Sequence, residues 1–346
     1  MLYFENLYIS EEVKDLAFVK NIQNSILFDK LHFVTGEKHP GNGLLLTKNR
    51  GAFIKPCPGQ KGSVCCGYWV VEWGLGCPFA CEYCILQNYT GAGDVTLFVN
   101  LEDCKNEIID LRNRLKGPIR LGTGQFGDPM ALEQIFPLNE KIIDWTRNFK
   151  DFKLEIKTKS DYIQPVLDNA PAKHVIMAFS LNPQTLIDRL EHGAASLEAR
   201  LNAARQVARE ADCSLAFHFD PILPLNDWKN EYRKVFDLMH EKLQGLRIDW
   251  ISLGTFRFPK GFPDLVEKFH PESPILLEEF YPSEDGKLRY FRPFREEIYK
   301  FAMGSLKKAF PDTAIYICME TKHVWERLCE HEFNSSDLKN ILDSRL

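Results

Sequence analysis

The stretch Gly76-Cys-Pro-Phe-Ala-Cys-Glu-Tyr-Cys84 places three cysteines, Cys77, Cys81 and Cys84, within eight consecutive residues. Three thiolates can hold three irons of a [4Fe–4S] cluster and leave the fourth iron open to a small molecule, whereas electron-transfer clusters have a fourth protein ligand. A zinc site needs four protein ligands, or three and a water, and its cysteines usually stand two residues apart. Buried cysteines that act only as small apolar side chains are disfavoured by this spacing. The motif therefore predicts a cluster with one open iron.

The composition describes a large globular protein. The 346 residues are enough for a large core, as one barrel-sized domain or a barrel with additions. Apolar residues make up 45% and aromatic residues 12% of the chain, which excludes a disordered protein. The sequence contains no run of about eighteen uncharged apolar residues, so we predict no membrane-spanning helix.

The cysteine content and the charge indicate where the protein works. Its first residues, Met-Leu-Tyr-Phe-Glu-Asn, do not combine a basic region with an apolar run, so no secretory signal is predicted. Ten cysteines in such a chain favour metal chemistry and reduced thiols over disulfides, and we expect a cytoplasmic protein. The net charge of −5 argues against non-specific coating of nucleic acid but leaves room for a local basic cleft.

The first 67 residues form a preamble with a mixed pattern. Apolar spacing predicts a helix over 11–28 and a short strand over 31–34. The Gly- and Pro-rich segment 36–67 is predicted to be irregular. It contains Cys57, Cys65 and Cys66, whose role stays open between local packing, shielding of the cluster and ligation of a second cluster. Adjacent cysteines are poor joint ligands for one metal.

From residue 68 onward, strand and helix patterns alternate. The predicted strands are 68–73, 119–121, 154–159, 175–181, 215–219 and 250–253, and the predicted helices are 101–115, 139–149, 160–167, 196–210 and 231–243. Such alternation implies right-handed crossovers and a parallel sheet, which is the α/β class.

Polar residues follow each predicted strand. Chemistry collects at the carboxyl ends of the strands in α/β barrels. The segments at these ends are 77–84, 122–128, 158–160, 180–182, 218–220 and 254–257. Loops need turn residues in any case, but the complete series predicts one polar mouth that holds cofactor and substrate.

The cysteine motif continues into Ile85-Leu-Gln87, and four later segments carry a resemblance to a known family. These segments are Lys-Thr-Lys at 157–159, Ser-Leu-Asn at 180–182, Gly-Ala-Ala-Ser-Leu-Glu-Ala-Arg-Leu-Asn-Ala-Ala-Arg at 193–205 and Ala-Phe-His-Phe-Asp-Pro-Ile at 216–222. From about residue 3 to residue 325 the chain resembles the spore photoproduct lyase family of the radical S-adenosylmethionine superfamily. The resemblance implies a partial (β/α)6 barrel over 68–265, after the preamble 1–67 and before a C-terminal α+β extension over 266–346.

The same resemblance implies a cofactor and a reaction. In the superfamily, the open iron of the cluster is chelated by the amino and carboxylate groups of S-adenosylmethionine. Family members cleave the methylene-bridged thymine dimer of ultraviolet-damaged spore DNA. The 5′-deoxyadenosyl radical takes a hydrogen atom from the lesion, the bridging bond breaks, and the thymines are restored. A reductant protein of flavodoxin or ferredoxin type is the implied electron donor.

The resemblance implies site residues at the positions of this chain that match the family's motifs. Cys77, Cys81 and Cys84 would ligate the cluster, and Lys159 would pair with the cofactor carboxylate; its alternative is a solvated lysine at a strand end. The remaining implied cofactor contacts are Gly122, Thr123, Gly124, Gln125, Ser180 and Asn182. In the matching segment 193–205, Ser196 and Arg200 have ordinary explanations as a helix N-cap and a surface ion pair.

Two departures from the family concern the end of the reaction. The lyase uses a cysteine just past its second strand to return a hydrogen atom to the substrate radical, and here that place falls at or near Gln125. The lyase also has a tyrosine directly after its third cluster cysteine, where this chain has Ile85; the preceding Tyr83 is retained and is our candidate catalytic residue there. Cys318, in a strand predicted over 314–319, is either a replacement thiol or a buried core cysteine.

The segment from Lys287 to Arg295 interleaves basic and aromatic residues after a turn-like Ser-Glu-Asp-Gly. Such a hairpin can contact phosphates through arginine and stack bases on aromatic rings, and it falls where the lyase has a hairpin near its lesion. Arg289, Tyr290 and Arg292 are therefore candidate substrate contacts. The alternative is an edge strand protected by charge.

The sequence therefore predicts a radical S-adenosylmethionine enzyme of the lyase type that acts on DNA or a nucleotide-type substrate. Two alternatives stay open. The enzyme could act on another substrate, such as a modified nucleoside, an RNA or a peptide, or the chain could bind nucleic acid without catalysis and keep its cluster for structure. The net charge weighs against the second alternative.

Overall fold

The computed structural model describes residues 2–36, 39–59, 62–91 and 93–346. Its strands are β1 Tyr3–Ser10, β2 Leu27–Val34, β3 Gly43–Thr47, β4 Ile54–Pro56, β5 Trp69–Val71, β6 Gly74–Gly76, β7 Val95–Phe98, β8 Ile119–Gly122, β9 Phe152–Thr158, β10 Val175–Ser180, β11 Ser214–Ile222, β12 Ile248–Thr255, β13 Arg257–Pro259, β14 Phe280–Pro282, β15 Lys287–Tyr290 and β16 Ala314–Ile317. Its helices are α1 Ala17–Asn24, α2 Gln87–Thr90, α3 Leu101–Arg114, α4 Leu138–Thr146, α5 Gln164–Asp168, α6 Gln184–Leu190, α7 Leu197–Glu210, α8 Trp228–Leu243, α9 Phe262–Phe269, α10 Arg292–Ala309, α11 Lys322–Cys329 and α12 Ser335–Asp343, with a 3-10 turn at Pro274–Leu276.

The main sheet has the order β16-β12-β11-β10-β9-β8-β5-β4 and curls into a half-barrel. From β5 to β16 all neighbouring strands run parallel, and only β4 is antiparallel to its neighbour. Every residue of β10 and β12 is buried, as expected for parallel strands covered on both faces. All six strands predicted from residue 68 onward are present, so the predicted α/β class with a partial parallel barrel is confirmed.

The crossover helices also follow the predicted alternation. α7 begins after Ser196, whose Oγ accepts a hydrogen bond from the backbone N–H of Ala199 at 3.1 Å, so the N-cap interpretation is confirmed. The helix predicted over 160–167 is shorter, because Ser160 and Tyr162 form a turn instead. There the Tyr162 N–H donates to Ser160 Oγ at 3.0 Å, and α5 starts only at Gln164.

The N-terminal preamble contains more strand than the sequence predicted. A second sheet has the order β2-β1-β3-β7-β6 and is parallel except for the β6–β7 pair. The helix predicted over 11–28 is wrong at both ends, because only Ala17–Asn24 is helical and β2 already begins at Leu27. The segment 36–67 is not wholly irregular, since it supplies β3 and β4; residues 37–38 and 60–61 of it lie outside the described residues. The apolar run Leu44–Leu46 is fully buried, because β3 lies between its partner strands β1 and β7.

Both ends of the chain contribute to the main sheet. β4 pairs with β5, and β16 pairs with β12, so the sheet crosses the predicted domain boundaries at 67 and 265. The segment 62–68 then connects the two edges: Ser63 forms a bridge with Thr321, and the Val64 N–H donates to the Glu320 carbonyl at 2.9 Å. A third, antiparallel sheet of order β13-β15-β14 extends from the carboxyl end of β12. Within the described ranges, no helix is both long enough and apolar enough to cross a membrane.

Candidate functional site

The three motif cysteines lie in a loop, residues 77–84, which we call the cluster loop. β6 precedes it and attaches its start to β7 of the N-terminal sheet. Gly76 has φ +97°, and a Cβ there would lie 1.9 Å from the Asp94 carbonyl oxygen, so only glycine fits at this entry. The Gly76 N–H donates to the Phe126 carbonyl at 2.9 Å, which places the cluster loop beside the carboxyl end of β8.

The thiols of Cys77, Cys81 and Cys84 are free; Cys81 is buried, and Cys77 and Cys84 are partly buried. Burial raises the pKa of all three thiols, and the nearby ammonium group of Lys159 opposes this shift at Cys81 and Cys84. Neighbouring thiols also raise the pKa of Cys77 and Cys81, so the three thiols are close enough to interact electrostatically. Three neighbouring soft sulfur ligands near a positive charge are a donor set that fits a [4Fe–4S] cluster.

Lys159 belongs to a buried network behind the cluster loop. Its ammonium lies 5.5 Å from the ring centroid of Tyr83, and its pKa is raised, because the attraction of Glu191, Cys81 and Cys84 outweighs the effect of burial. The Tyr83 hydroxyl donates to Glu191, and Glu191 forms an ion pair of 2.5 Å with Arg200 in which neither side chain is exposed to solvent. Arg200 is therefore not the surface ion pair that the sequence suggested. Its Nη1 donates to the Ser180 carbonyl at 2.8 Å and so holds the end of β10.

Asn182 is part of the same network. Its Nδ2 donates to Glu191 Oε1 at 2.9 Å, and its Oδ1 accepts a bond of 2.8 Å from the Tyr232 hydroxyl. Its amide is thus engaged inside the protein, whereas it was predicted to bind the cofactor. Sequence reasoning missed Glu191 and Tyr232, because the motif analysis considered only residues that directly follow strands.

Asp128 is a third residue that sequence reasoning did not single out. It is buried, and its carboxylate accepts bonds of 2.7 Å from Thr158 Oγ1 and 2.6 Å from the Lys159 N–H. Burial raises the pKa of this carboxyl group, while these donors and the positive charge of Lys159 lower it. Asp128 therefore fixes the end of β9, where Lys159 leaves the strand toward the cluster loop. The only sequence signal for Asp128 was its position in the polar segment 122–128, which follows a predicted strand.

The strand-end motif after β8 needs its glycines for reasons within the protein. A Cβ on Gly122 would overlap the Tyr68 hydroxyl at 1.3 Å, and one on Gly124 would lie 2.5 Å from the Lys157 Cβ. Thr123 is fully buried and donates through Oγ1 to Asn139 at 2.9 Å. The Thr123 side chain is therefore turned away from the mouth, and Gln125, which is partly exposed, is the motif residue that reaches solvent.

Comparison with known proteins places this site in a family. A sequence model described as spore photoproduct lyase matches residues 62–316. The chain belongs to the spore photoproduct lyase family. The spore photoproduct lyase of Geobacillus sp. (strain Y412MC61) is 26% identical over 213 residues, which cover 60% of this chain and 62% of that protein. The chain thus spans less than two thirds of the length of that relative.

Solved structures of spore photoproduct lyase share the fold. A cysteine-to-alanine mutant superposes with a TM-score of 0.80 at 21% identity, covering 91% of this chain and 99% of that one. A double mutant with bound AdoMet and dinucleoside spore photoproduct superposes with a TM-score of 0.76 at 21% identity, covering 92% of this chain and 99% of that one. These superpositions include the half-barrel and both terminal extensions.

A second group of cysteine thiols lies at the mouth, apart from the cluster loop. Cys57, Cys65, Cys66 and Cys318 line one small cavity of about 30 Å³, which we call the thiol cavity. The Cys318 N–H donates to the Leu253 carbonyl at 2.7 Å, so Cys318 stands beside the carboxyl end of β12. Burial raises its pKa to about 12. The positive charge of Lys157 lowers the pKa of both Cys318 and Cys84, so Lys157 acts electrostatically on both groups of cysteines.

The hairpin that was expected to contact the substrate is at the mouth, but two of its residues point inward. The turn is confirmed, since the Ser283 N–H donates to the Lys287 carbonyl at 2.8 Å. Arg289 is buried and pairs with Asp285 at 2.9 Å, and Tyr290 is buried with its ring stacked on Phe280 at 4.8 Å. Arg289 and Tyr290 therefore help to hold the hairpin together from within the protein, and their contact with a nucleic acid stays a prediction.

Arg292 differs from its two neighbours. It is the first residue of α10, and its side chain is 53% exposed with a loose contact of 3.7 Å to Glu296. Phe291 and Tyr281 are exposed beside it, with ring centroids 5.4 Å apart. The exposed basic and aromatic groups at this edge are therefore Arg292, Phe291 and Tyr281.

Proposed function

We propose that this chain is a radical S-adenosylmethionine enzyme that repairs thymine photoproducts in DNA by abstracting a hydrogen atom from the lesion. The observation that carries this proposal is the group of Cys77, Cys81 and Cys84 near Lys159, in a chain of the spore photoproduct lyase family. One solved member of that family binds AdoMet and dinucleoside spore photoproduct together. The proposal extends that chemistry to this chain.

The cofactor site is assigned to residues around the cluster loop. The cluster and S-adenosylmethionine supply a carbon-centred radical that removes hydrogen from the substrate. The three cysteines hold the cluster, and Lys159 neutralises the cofactor carboxylate as a point charge. Ser180 and the backbone from Gly122 to Gln125 offer hydrogen bonds at the neighbouring strand ends. We assign Asn182 and Tyr83 a positioning role, because both bind Glu191 and so orient the charges around Lys159.

Cys318 is the thiol that we assign to the final hydrogen transfer. A thiol S–H bond is weak enough to quench a carbon radical, whereas the amide of Gln125 offers no such bond. Support comes from Lys157, whose charge lowers the pKa of both Cys84 and Cys318, so that the two thiols share one charged neighbour. The high pKa of Cys318 keeps it protonated, which is the form that can give up a hydrogen atom. Cys57 lines the same cavity and also acts on the pKa of Cys318, so it is a second thiol near this path.

The substrate edge is assigned to Arg292, Phe291 and Tyr281. Arginine can bind a phosphate of the damaged strand, and exposed rings can stack on bases. A lesion within duplex DNA must be flipped out to reach the mouth, which costs a few kcal/mol and least at a damaged step. We place the enzyme in the cytoplasm, with an electron donor of flavodoxin or ferredoxin type.

Anaerobic reconstitution followed by incubation with dinucleoside spore photoproduct, S-adenosylmethionine and dithionite tests the function. We expect [4Fe–4S] absorption, release of 5′-deoxyadenosine and formation of thymidylyl-thymidine. A protein that forms no cluster, or that releases no 5′-deoxyadenosine, contradicts the radical mechanism. A nucleic-acid binder that keeps its cluster only for structure would instead show salt-dependent DNA affinity and no cofactor cleavage.

A second candidate is a radical enzyme of the same family that acts on another nucleoside, an RNA or a peptide. Gln125 and Ile85 favour it, because they replace the cysteine and tyrosine that complete the lyase reaction. Deuterium transfer from labelled candidate substrates into 5′-deoxyadenosine distinguishes the two. Transfer from a substrate other than the thymine photoproduct, with none from the photoproduct itself, would select the second candidate.

A further inference from the structure

Three side chains with metal-binding atoms meet outside the cluster site. Glu82, His192 and His270 place one ligand atom each so that all three atoms lie within 4.8 Å of one another. His192 Nε2 is 2.9 Å from Glu82 Oε1, and the two imidazole rings stack with centroids 6.0 Å apart. Two imidazoles and a carboxylate are the ligand set of many zinc sites.

Gln87 adds a fourth ligand atom to this group. Its Oε1 lies 3.3 Å from His270 Nε2, while its Nε2 donates to the Cys81 carbonyl at 2.6 Å. Because the NH₂ group of Gln87 donates to the Cys81 carbonyl, the amide oxygen is the end of the side chain that faces His270. The amide oxygen is therefore presented to the same space as the imidazole of His270.

A hydrogen bond between His192 and Glu82 explains only part of this arrangement. Glu82 Oε2 is buried and has no hydrogen-bond partner among the residues that the structure describes. Leaving a buried carboxylate oxygen without a hydrogen-bond partner is unfavourable. That hydrogen bond also does not account for His270, which comes from the end of α9 in the C-terminal part of the chain and brings its ligand atom to the same group. A divalent cation would satisfy the orphan oxygen and both imidazoles together.

We propose that Glu82, His192 and His270, with Gln87 or a water as the fourth ligand, form a binding site for a divalent transition metal of the zinc class. Imidazole ligands favour zinc over magnesium or calcium, which prefer oxygen ligands alone. The site uses none of the cluster cysteines, although Glu82 and Gln87 flank Cys84 in the sequence. The metal would fasten the cluster loop to His192, which precedes α7, and to the end of α9. The site therefore controls the rigidity of the loop that carries the cluster cysteines.

Cobalt and zinc binding to the cluster-loaded protein test the proposal. Loading the cluster first occupies Cys77, Cys81 and Cys84, so that these thiolates do not compete for the added metal. We expect one Co²⁺ per chain with visible d–d bands typical of nitrogen and oxygen ligands, and one Zn²⁺ in calorimetric titration. His270→Ala and His192→Ala should each weaken Zn²⁺ binding at least about tenfold.

The matched control is His323→Ala, which removes another imidazole, one that is exposed, and should leave Zn²⁺ binding unchanged. Equal Zn²⁺ binding by the His192→Ala/His270→Ala double variant and the wild type would overturn the site, as would the absence of stoichiometric binding in the wild type. A sulfur-to-cobalt charge-transfer band would assign the metal to the thiol cavity and would overturn it as well. Iron content and circular dichroism, measured on the same samples, show that each variant is folded and still carries its cluster. Because these readouts need no substrate, failure of the metal site and failure of the proposed repair activity are distinguishable.

Discussion

The cluster loop and the thiol cavity are two groups of cysteines in one half-barrel, and they are built in different ways. The cluster-loop thiols stand within eight residues of sequence, and the charges of Lys159, Glu191 and Arg200 surround them in a buried network. The thiols of the cavity come from the segment after β4 and from the end of β16, and they meet only because 62–68 joins the two edges of the sheet. The site that starts the proposed reaction is thus specified by cysteines that are close in sequence. The position of Cys318, the thiol proposed to end the reaction, depends instead on tertiary contacts between distant segments.

The largest effect is expected from the cluster loop. Cys81→Ala removes one of three iron ligands, and we expect no stable cluster and no detectable 5′-deoxyadenosine. Cys104→Ser is the matched control, since Cys104 is equally buried but stands alone in α3 and should retain full iron content. Iron and sulfide analysis with cofactor-cleavage assays makes the comparison. Retention of a cluster and of cleavage in Cys81→Ala would show that another thiol can replace it.

The next largest effect is expected from the charges behind the cluster loop. Glu191→Gln leaves Arg200 and Lys159 without their buried counter-charge, and breaking such a pair costs about 3–5 kcal/mol. Burial alone would raise the pKa of Glu191, but Lys159 and Arg200 lower it below its usual value. Wild-type stability should therefore fall as the pH drops below about 4.5, through the folded-state pKa of Glu191. The Gln variant should lack this contribution.

Urea unfolding of matched variants measures this effect. Glu198→Gln removes an exposed partner of Lys242 and should change the free energy of unfolding by less than about 0.5 kcal/mol. If Glu191→Gln changed the free energy of unfolding as little as Glu198→Gln, the buried charges behind the cluster loop would be dispensable for stability. The cluster loop would then differ from the thiol cavity in its sequence spacing alone.

Residues close in sequence were predictable in this molecule, and residues that meet through tertiary contacts were not. The cluster cysteines, the six strands from residue 68 and the N-cap at Ser196 follow from local spacing. Arg289 and Tyr290 were placed in the right hairpin, but their orientation depends on Asp285 and on packing against Phe280, which only the folded structure reveals. Strands β1 and β3 were missed, and β2 was predicted only over 31–34, because the apolar residues of β1 and β3 do not alternate cleanly and are explained only by their neighbours in the sheet.

A moderate effect is expected in the thiol cavity. Cys318→Ser removes the proposed hydrogen donor, and we expect release of 5′-deoxyadenosine to continue while the yield of repaired dinucleotide falls about tenfold, equivalent to about 1.4 kcal/mol. Cys329→Ser, in the neighbouring helix α11, is the control and should leave both products unchanged. Equal product yields for the two variants would place the final donor elsewhere, and Cys57→Ser would be the next variant to measure.

The smallest effect is expected in the way that the alkylation rates of the two groups of thiols depend on pH, because the groups differ in the protonation of their thiols. The Cys66 thiol donates a hydrogen bond to Cys65 and, with the nearby Arg120, lowers the pKa of Cys65 to about 5, although partial burial opposes this shift. Its thiolate should be fully formed above about pH 6, so its alkylation rate should change less than about twofold between pH 6 and 8. An ordinary cysteine would become about 70-fold faster over that range.

Peptide mass spectrometry after timed iodoacetamide treatment of the cluster-free protein measures both groups at once. The cluster-loop thiols, whose pKa values burial raises, should stay almost unreacted up to pH 8. A rate at Cys65 that rises steeply with pH, in parallel with that of Cys329, would mean that Cys66 does not hold Cys65 as a thiolate. The thiol cavity would then be an ordinary set of protonated cysteines, and its contrast with the cluster loop would rest on position alone.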